Sequence, residues 1–579
     1  MATVIRFLSR RIEPREVART LAGGFAILLR FLSVLAVVLF LIVLSMTFFV
    51  PLYMDEILTK IVDARFFAEH GTLVTLTPQC GSSWVNPLPV SFYPGSIFVT
   101  LLYGRLGLVG LKVSGILLAL AWFTGTGWVA CRTATRKTEK VHRFAMVAAL
   151  LGCGVFPCVL VLARRESIML LCLLAYCVLP SASRRWATAR FGPHAVAIAF
   201  IFTTSLFFFS HPKALFYLPF VLVSALATAP WRRTRSAVAI VPCVIVIAAQ
   251  CVRFVAATVR CDGAPELTKM WAALTLDPGL LARDPAAFFA TGLTNLVETP
   301  ERAWTGLMFR ANTTGWVPLP RSTRLPLDLL TLNSVTSAFF AAFLLGIPVL
   351  LLLAARRHRT GTSRSNLALG ASLALSVAAN AFMLNDYAFY NSQLMLPAMA
   401  LVVALVGWTR RGSIVPRPLA PIGLVVLLTI GGANFVAFLC YHGPVLVENA
   451  TKPGAEVPGQ ALAIPIFGFG AEKAKIRALA SRCGFNGDGS THLVIDEMTY
   501  YAFHDLAQPI NLMSISDAVN YSGQALPGEK VVSLLRRLQS PGVIGRCNLF
   551  PTALHPRALS GGSYCCVGKA ALETAPPSP

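Results

Sequence analysis

From Leu21 to Val50 the chain is almost continuously apolar, and comparable runs return until Cys440, separated by short polar stretches. The runs are Leu21 to Val50, Leu106 to Cys131, Phe144 to Ala163, Ile168 to Leu179, Ala195 to Phe209, Ala214 to Ala229, Ala237 to Ala257, Leu330 to Ala355, Leu367 to Leu384, Leu394 to Trp408 and Leu419 to Cys440. Most are close to the ~20 residues that carry an α-helix across a bilayer core. Ile168 to Leu179 is short and needs tilt or a re-entrant path. Pro87 to Tyr103 is read as an interfacial helix, because a further crossing there would invert every later loop. The pattern predicts a polytopic α-helical membrane protein with about 11 transmembrane helices and surface helices in its external loops.

Basic residues punctuate alternate loops: Arg6, Arg10, Arg11, Arg15 and Arg19 at the start, then Arg132, Arg136, Lys137, Lys140 and Arg143. Arg184-Arg185, Arg232-Arg233, Arg356-Arg357 and Arg410-Arg411 follow in step. Under the positive-inside rule these turns are cytoplasmic, and so is the N-terminus. The first apolar run is too long for a signal-peptide core and has no small-residue cleavage site. Two external loops result, 52–92 and 259–329, within a membrane domain over 1–440.

Composition agrees with this reading. With 579 residues, 55% hydrophobic and 13% charged, and a mean hydropathy of +0.66, a soluble globular protein is excluded. The net charge of +24, from 50 Lys and Arg against 26 Asp and Glu, is divided among short clusters. It therefore argues for topology and against a nucleic-acid partner.

The tail 441–579 is less apolar and alternates. Glu472 to Arg482 reads as a helix, Thr491 to Ile495 as a strand and Val531 to Leu538 as an amphipathic helix, which together predict a small periplasmic α/β domain. Cys483, Cys547 and the vicinal Cys565-Cys566 could form two disulfides, one from each vicinal cysteine, with the pairing open.

The external ends of the runs carry the candidate chemistry. They hold Asp55 and Glu56, Arg164-Arg165-Glu166, His211-Pro212-Lys213, Asn385-Asp386-Tyr387 and Tyr390-Asn391-Ser392-Gln393. Short external loops usually avoid positive charge, so Arg164, Arg165 and Lys213 need a reason, and a membrane-bound anion supplies one. Sugar transfer from a lipid-linked phosphate needs a base, cations for the departing phosphate and a groove open to lipid. Asp55 can be the base, with Glu56 in support. Arg164, Arg165, His211 and Lys213 can hold the phosphate, and Asn385, Asp386, Tyr387, Tyr390 and Gln393 can meet sugar or acceptor.

Plainer readings stand beside these. The acids can cap a helix, Arg164 and Glu166 can be an internal ion pair, His211 can cap or pack, and the tyrosines can form an aromatic belt. No cofactor is required. Asp55 and Glu56 are hard oxygen ligands compatible with a divalent metal, but no third ligand completes a metal site.

The stretch Met54-Asp55-Glu56-Ile57-Leu58-Thr59-Lys60-Ile61 through Phe67-Ala68-Glu69-His70-Gly71, behind a basic N-terminus and one apolar run, resembles the GT-C superfamily of membrane glycosyltransferases. Within it the similarity is to protein O-mannosyltransferases and the lipid A aminoarabinose transferase. The resemblance covers topology over Leu21 to Cys440 but sequence only at Asp55-Glu56 and the following helix. It implies a polyprenyl-phosphate-sugar donor, an acidic motif in the first external loop and Asp55 as general base. The tail does not look like eukaryotic sugar-binding repeats, which points to a bacterial inner membrane and an envelope glycan, lipid or protein as acceptor. Two other readings compete. A transporter or flippase for a lipid-linked sugar would show internal repeats and mid-bilayer charges. A glycan polymerase or ligase would centre on Arg302, Arg310, Arg321 and Arg324.

Overall fold

The computed structural model describes residues 14–50, 52–53, 56, 94–152, 156–186, 191–228, 235–259, 274–305, 327–357, 361–385, 391–409, 412–413, 419–444, 446–447, 463–464, 469–485, 493–503, 510–512, 532–533, 535–536 and 539–573. Helix α1 is Pro14–Met46, prolonged by a 3-10 turn at Thr47–Phe49. Then come α2 (Pro94–Thr100), α3 (Tyr103–Cys131), α4 (Lys137–Leu151), α5 (Phe156–Leu160), α6 (Arg165–Trp186) and α7 (Gly192–Ser210). A 3-10 segment at Pro212–Tyr217 runs into α8 (Leu218–Thr228), followed by α9 (Arg235–Val259) and α10 (Pro285–Thr305). The last long helices are α11 (Leu327–Arg357), α12 (Gly361–Met383), α13 (Ser392–Val406) and α14 (Leu419–Tyr441).

Among the described residues, six helices are long and apolar enough to cross a membrane: Ala26–Phe49, Arg105–Cys131, Arg165–Trp186, Gly192–Ser210, Leu327–Arg356 and Arg364–Met383. Four shorter apolar helices accompany them, Pro212–Thr228, Ala239–Arg253, Ser392–Val406 and Val425–Tyr441. The outer faces of α1 and α11 expose Phe31, Val34, Leu345 and Leu352. Contiguous apolar surface of that kind suits lipid and not water.

Two elements depart from the hydropathy pattern. The run Phe144 to Ala163 is not one helix: α4 ends at Leu151, where the Gly152 N–H closes on the Ala148 carbonyl at 2.8 Å. The chain restarts as the short α5, with Pro157 in its first turn, where a missing N–H costs nothing. Conversely, Ile168 to Leu179 extends at both ends into the 22-residue α6, by three residues that include the buried Arg165 and Glu166 and by seven that end at the exposed Arg184, Arg185 and Trp186. Beside α5, α3 approaches the Val161–Ala163 backbone closely. A Cβ on Gly115 would lie 1.9 Å from the Val161 carbonyl oxygen, so only glycine fits.

The tail contains α15 (Phe469–Arg482) and a five-stranded sheet. Strands β1 (Leu52–Tyr53), β2 (Trp408–Thr409), β3 (Gly412–Ser413) and β4 (Ala463–Ile464) lie outside that sheet. Its own strands are β5 (Val494–Ile495), β6 (Ile510–Asn511), β7 (Gly542–Arg546), β8 (Leu559–Gly561) and β9 (Tyr564–Gly568), in the order β6-β5-β7-β9-β8. Successive strand residues face opposite sides. The vicinal cysteines of β9 accordingly take different partners, Cys483–Cys566 and Cys547–Cys565. Of the expected helix Val531 to Leu538, residues 532–533 and 535–536 are described and helical. One further contact reaches back to the membrane domain: β1 pairs antiparallel with β4, Leu52 opposite Ile464 and Tyr53 opposite Ala463.

Candidate functional site

Six of the candidate side chains, from four separate parts of the chain, come together where α3, α5, α6, the 3-10 segment and α13 meet. They are Glu56, Arg164, Arg165, His211, Lys213 and Gln393. Asp55, Asp386, Tyr387 and Tyr390 lie outside the described residues. Asn385 sits apart, on the α10 side, where its side-chain oxygen accepts from Asn295 Nδ2 at 3.0 Å and its carbonyl from Arg302 Nη1 at 3.3 Å.

The hub is Glu166, in the first turn of α6, fully buried. Arg164 grips it through Nη2 to Oε1 at 3.0 Å and Nε to Oε2 at 3.2 Å, a bidentate pairing. Lys213 Nζ reaches the same Oε1 at 3.2 Å, and His211 Nε2 stands 3.8 Å from it. The helix N-terminus favours a carboxylate there as well. Arg164 is therefore ion-paired within its own turn, as the plainer reading held.

His211 has extended backbone between α7 and the 3-10 segment, and its Nδ1 accepts the Lys213 N–H at 3.1 Å. That contact puts the proton of the neutral ring on Nε2. Burial first, then the neighbouring Lys213 ammonium, pushes the imidazole well below its ordinary value, against the opposing pull of Glu166. His211 is thus neutral near pH 7. Lys213 Nζ also donates to Asn391 Oδ1 at 2.5 Å, and Arg165 Nε donates to Ser96 Oγ at 3.0 Å.

Two candidates, Gln393 expected at sugar or acceptor and Glu56 expected to support the base, are turned inward. Gln393 is fully buried, and its Nε2 donates to the carbonyls of Leu160 and Leu162 and to Ser167 Oγ, bracing the non-helical backbone after α5. Glu56 is also fully buried; Oε1 accepts the Ala163 N–H at 2.7 Å and Oε2 lies 3.8 Å from Lys112 Nζ. The sequence reading saw Glu166 only as a candidate ion-pair partner, left Asn391 in a candidate stretch without a role of its own, and gave no role to Lys112 or Ser96. A lone lysine inside an apolar run was the available signal for Lys112.

Among the described side chains, Lys112, Arg164, Arg165 and Lys213 gather around Glu56 and Glu166. His211 and Lys213 form the accessible edge, with 23% and 11% of their side chains exposed.

An apolar cavity of about 450 Å³ lies between α10, α11, α12 and α13, lined by residues such as Leu296, Leu351, Ala378 and Met395. Thr299 and Ala303 of α10 also line it. The Ala303 carbonyl accepts from Ser392 Oγ at 3.1 Å, and the preceding Asn391 is the partner of Lys213. The stretch Asn391-Ser392 thus links the charged cluster to one residue of the cavity lining.

Among the described residues no three His, Cys, Asp or Glu side chains stand together as metal ligands. Arg302 pairs with Glu298 one helical turn away, while Arg310, Arg321 and Arg324 lie outside the described residues. No protein-family model matches the chain, and no curated protein matches its sequence.

Proposed function

We propose that the chain is a GT-C-type glycosyltransferase of the bacterial inner membrane, moving a sugar from a polyprenyl-phosphate donor to an envelope glycan, lipid or protein. The observation that carries this reading is the set of cations around Glu166, linked through Asn391-Ser392 to the lining of an apolar cavity. A lipid-linked phosphate has those two chemistries in one molecule: a dianionic or monoanionic head and a hydrocarbon tail. The six long helices, the four shorter ones and the broken α4–α5 pair count together as about eleven crossings. In this topology the N-terminus is cytoplasmic and the tail domain periplasmic.

In the proposed reaction the Asp55 carboxylate takes the proton of the acceptor hydroxyl. The freed oxygen attacks the anomeric carbon, and the bond from that carbon to the phosphate oxygen breaks. Its electron pair leaves with the polyprenyl phosphate, whose growing charge Arg165 and Lys213 offset, with His211 Nε2–H as a neutral donor. A single displacement inverts the anomeric centre.

The test is transfer in purified membranes supplied with a panel of polyprenyl-phosphate sugars. Asp55→Asn lowers transfer by about two to four orders of magnitude at normal expression, the range for a general base. Transfer at the wild-type rate by this variant would remove Asp55 from the mechanism.

A further inference from the structure

Lys112 is a charged side chain inside the apolar α3, with no exposed surface. A charge so placed is costly and rare, and its partner indicates what it is for. Here the partner is Glu56, whose other oxygen holds the Ala163 N–H. One carboxylate therefore joins three pieces of chain: the acidic segment, α3 and the turn that leads into Arg164-Arg165-Glu166. Asp55 directly precedes Glu56, and Arg164 directly follows Ala163. Consecutive Cα atoms are ~3.8 Å apart, so this clasp limits how far the acidic segment and the cationic turn can separate.

Two other features converge on the same contact. Gly115 lies three residues after Lys112, on the same face of α3, and is the position that lets the helix meet the Val161 carbonyl. On the other side, β4 holds Leu52 and Tyr53, the residues that lead into the acidic pair.

We infer that Lys112 is a positioning residue: by neutralising Glu56 it seats that carboxylate against turn 161–166. The catalytic consequence, Asp55 held opposite the donor phosphate, rests on the proposed function; the geometry does not. A merely stabilising ion pair would behave differently, because replacing both of its charges by neutral groups is often tolerated.

The experiment uses the full chain in lipid nanodiscs as wild type, Lys112→Met and Lys112→Met/Glu56→Gln. Hydrogen exchange is followed in peptides covering 52–56 and 161–166, and transfer from a polyprenyl-phosphate sugar is resolved into kcat and KM. The double variant removes both charges of the pair together, so it reports even where the single one fails to fold. Exchange in both segments is expected to rise about tenfold, and kcat to fall about a hundredfold at little-changed donor KM, the scale of an ångström of misplacement. A double variant with wild-type exchange and wild-type transfer overturns the inference. If the wild type transfers from no donor in the panel, exchange alone decides: faster exchange upholds the clasp while the transferase reading falls, and unchanged exchange sinks the clasp.

Discussion

Glu166 holds a buried carboxylate among cations, whereas Asp277 holds an exposed one against Arg283. The two predict different costs for the same change. Glu166→Gln leaves Arg164 and Lys213 without their shared counter-charge and should cost about 3–5 kcal/mol of stability. Asp277→Asn should cost less than about 1 kcal/mol. Thermal unfolding in detergent compares them directly, and equal midpoints would mean that Glu166 is not the hub.

His211 adds a pH dependence. Its folded value is depressed below the ordinary one near 6.5, so at lower pH the unfolded chain takes up a proton that the folded chain refuses. The contribution is complete above about pH 6.5 and is lost as pH falls through the window beneath it. His211→Asn, whose Oδ1 can still accept the Lys213 N–H, should flatten the midpoint-against-pH curve in that window. At this scale the sequence singled out residues that the fold brings together better than it foretold which way they point. Arg164, Arg165 and Lys213 stood out because the expected topology puts them where cations are unusual. The inward turn of Glu56 and Gln393 depends on contacts made across more than a hundred residues, which no local pattern carries.

At the scale of elements, helix positions followed from hydropathy almost throughout. Leu419 to Cys440 became Leu419–Tyr441, and Leu394 to Trp408 became Ser392–Val406. The misses share a cause. Hydropathy reads the solvent a segment prefers and not its backbone hydrogen bonds, so it joined α4 to α5 and stopped α6 where polar residues begin at either end. The break matters because Gln393 donates to the carbonyls of Leu160, at the end of α5, and Leu162, which also accepts from the Arg164 N–H and Ser167 Oγ. Non-helical backbone at membrane depth is tolerated where protein meets its polar groups. Gln393→Leu removes those donors and should cost about 1–3 kcal/mol, as unfolding in detergent would show. Gly115→Val should be more severe, because the clash falls on backbone, which has no rotamer to escape into. The basic turns likewise carry structure as well as topology. Arg143, expected as a solvated cytoplasmic charge, is buried, donates to the Ala130 carbonyl and Thr133 Oγ1, and lies 5.3 Å from the centre of the Trp408 ring.

For the molecule as a whole, the alternation of basic turns gave the order of the helices but not their neighbours. The meeting of α3, α6 and α13 around one cluster is a property of packing, and so is the cavity between α10 and α13. The tail was legible in outline, including the sharing of the vicinal cysteines between two disulfides. Its strand order was not, because β5 and β7 are parallel neighbours separated by a long stretch of chain. Replacing Cys483 and Cys566 together by serine should destabilise the tail by about 2–4 kcal/mol, read as a lower denaturant midpoint under non-reducing conditions.

The pairing of β1 with β4 also has a consequence for biosynthesis. Tyr53 is made early, but its partner Ala463 emerges only after roughly 400 further residues, an extreme of sequence separation for a two-residue ladder. During most of translation the acidic segment is tethered on one flank alone. A ribosome that stops anywhere short of residue 463 therefore releases a bundle that can hold its helices and still leave that segment half-anchored, so the pairing couples completion of the site to completion of the chain.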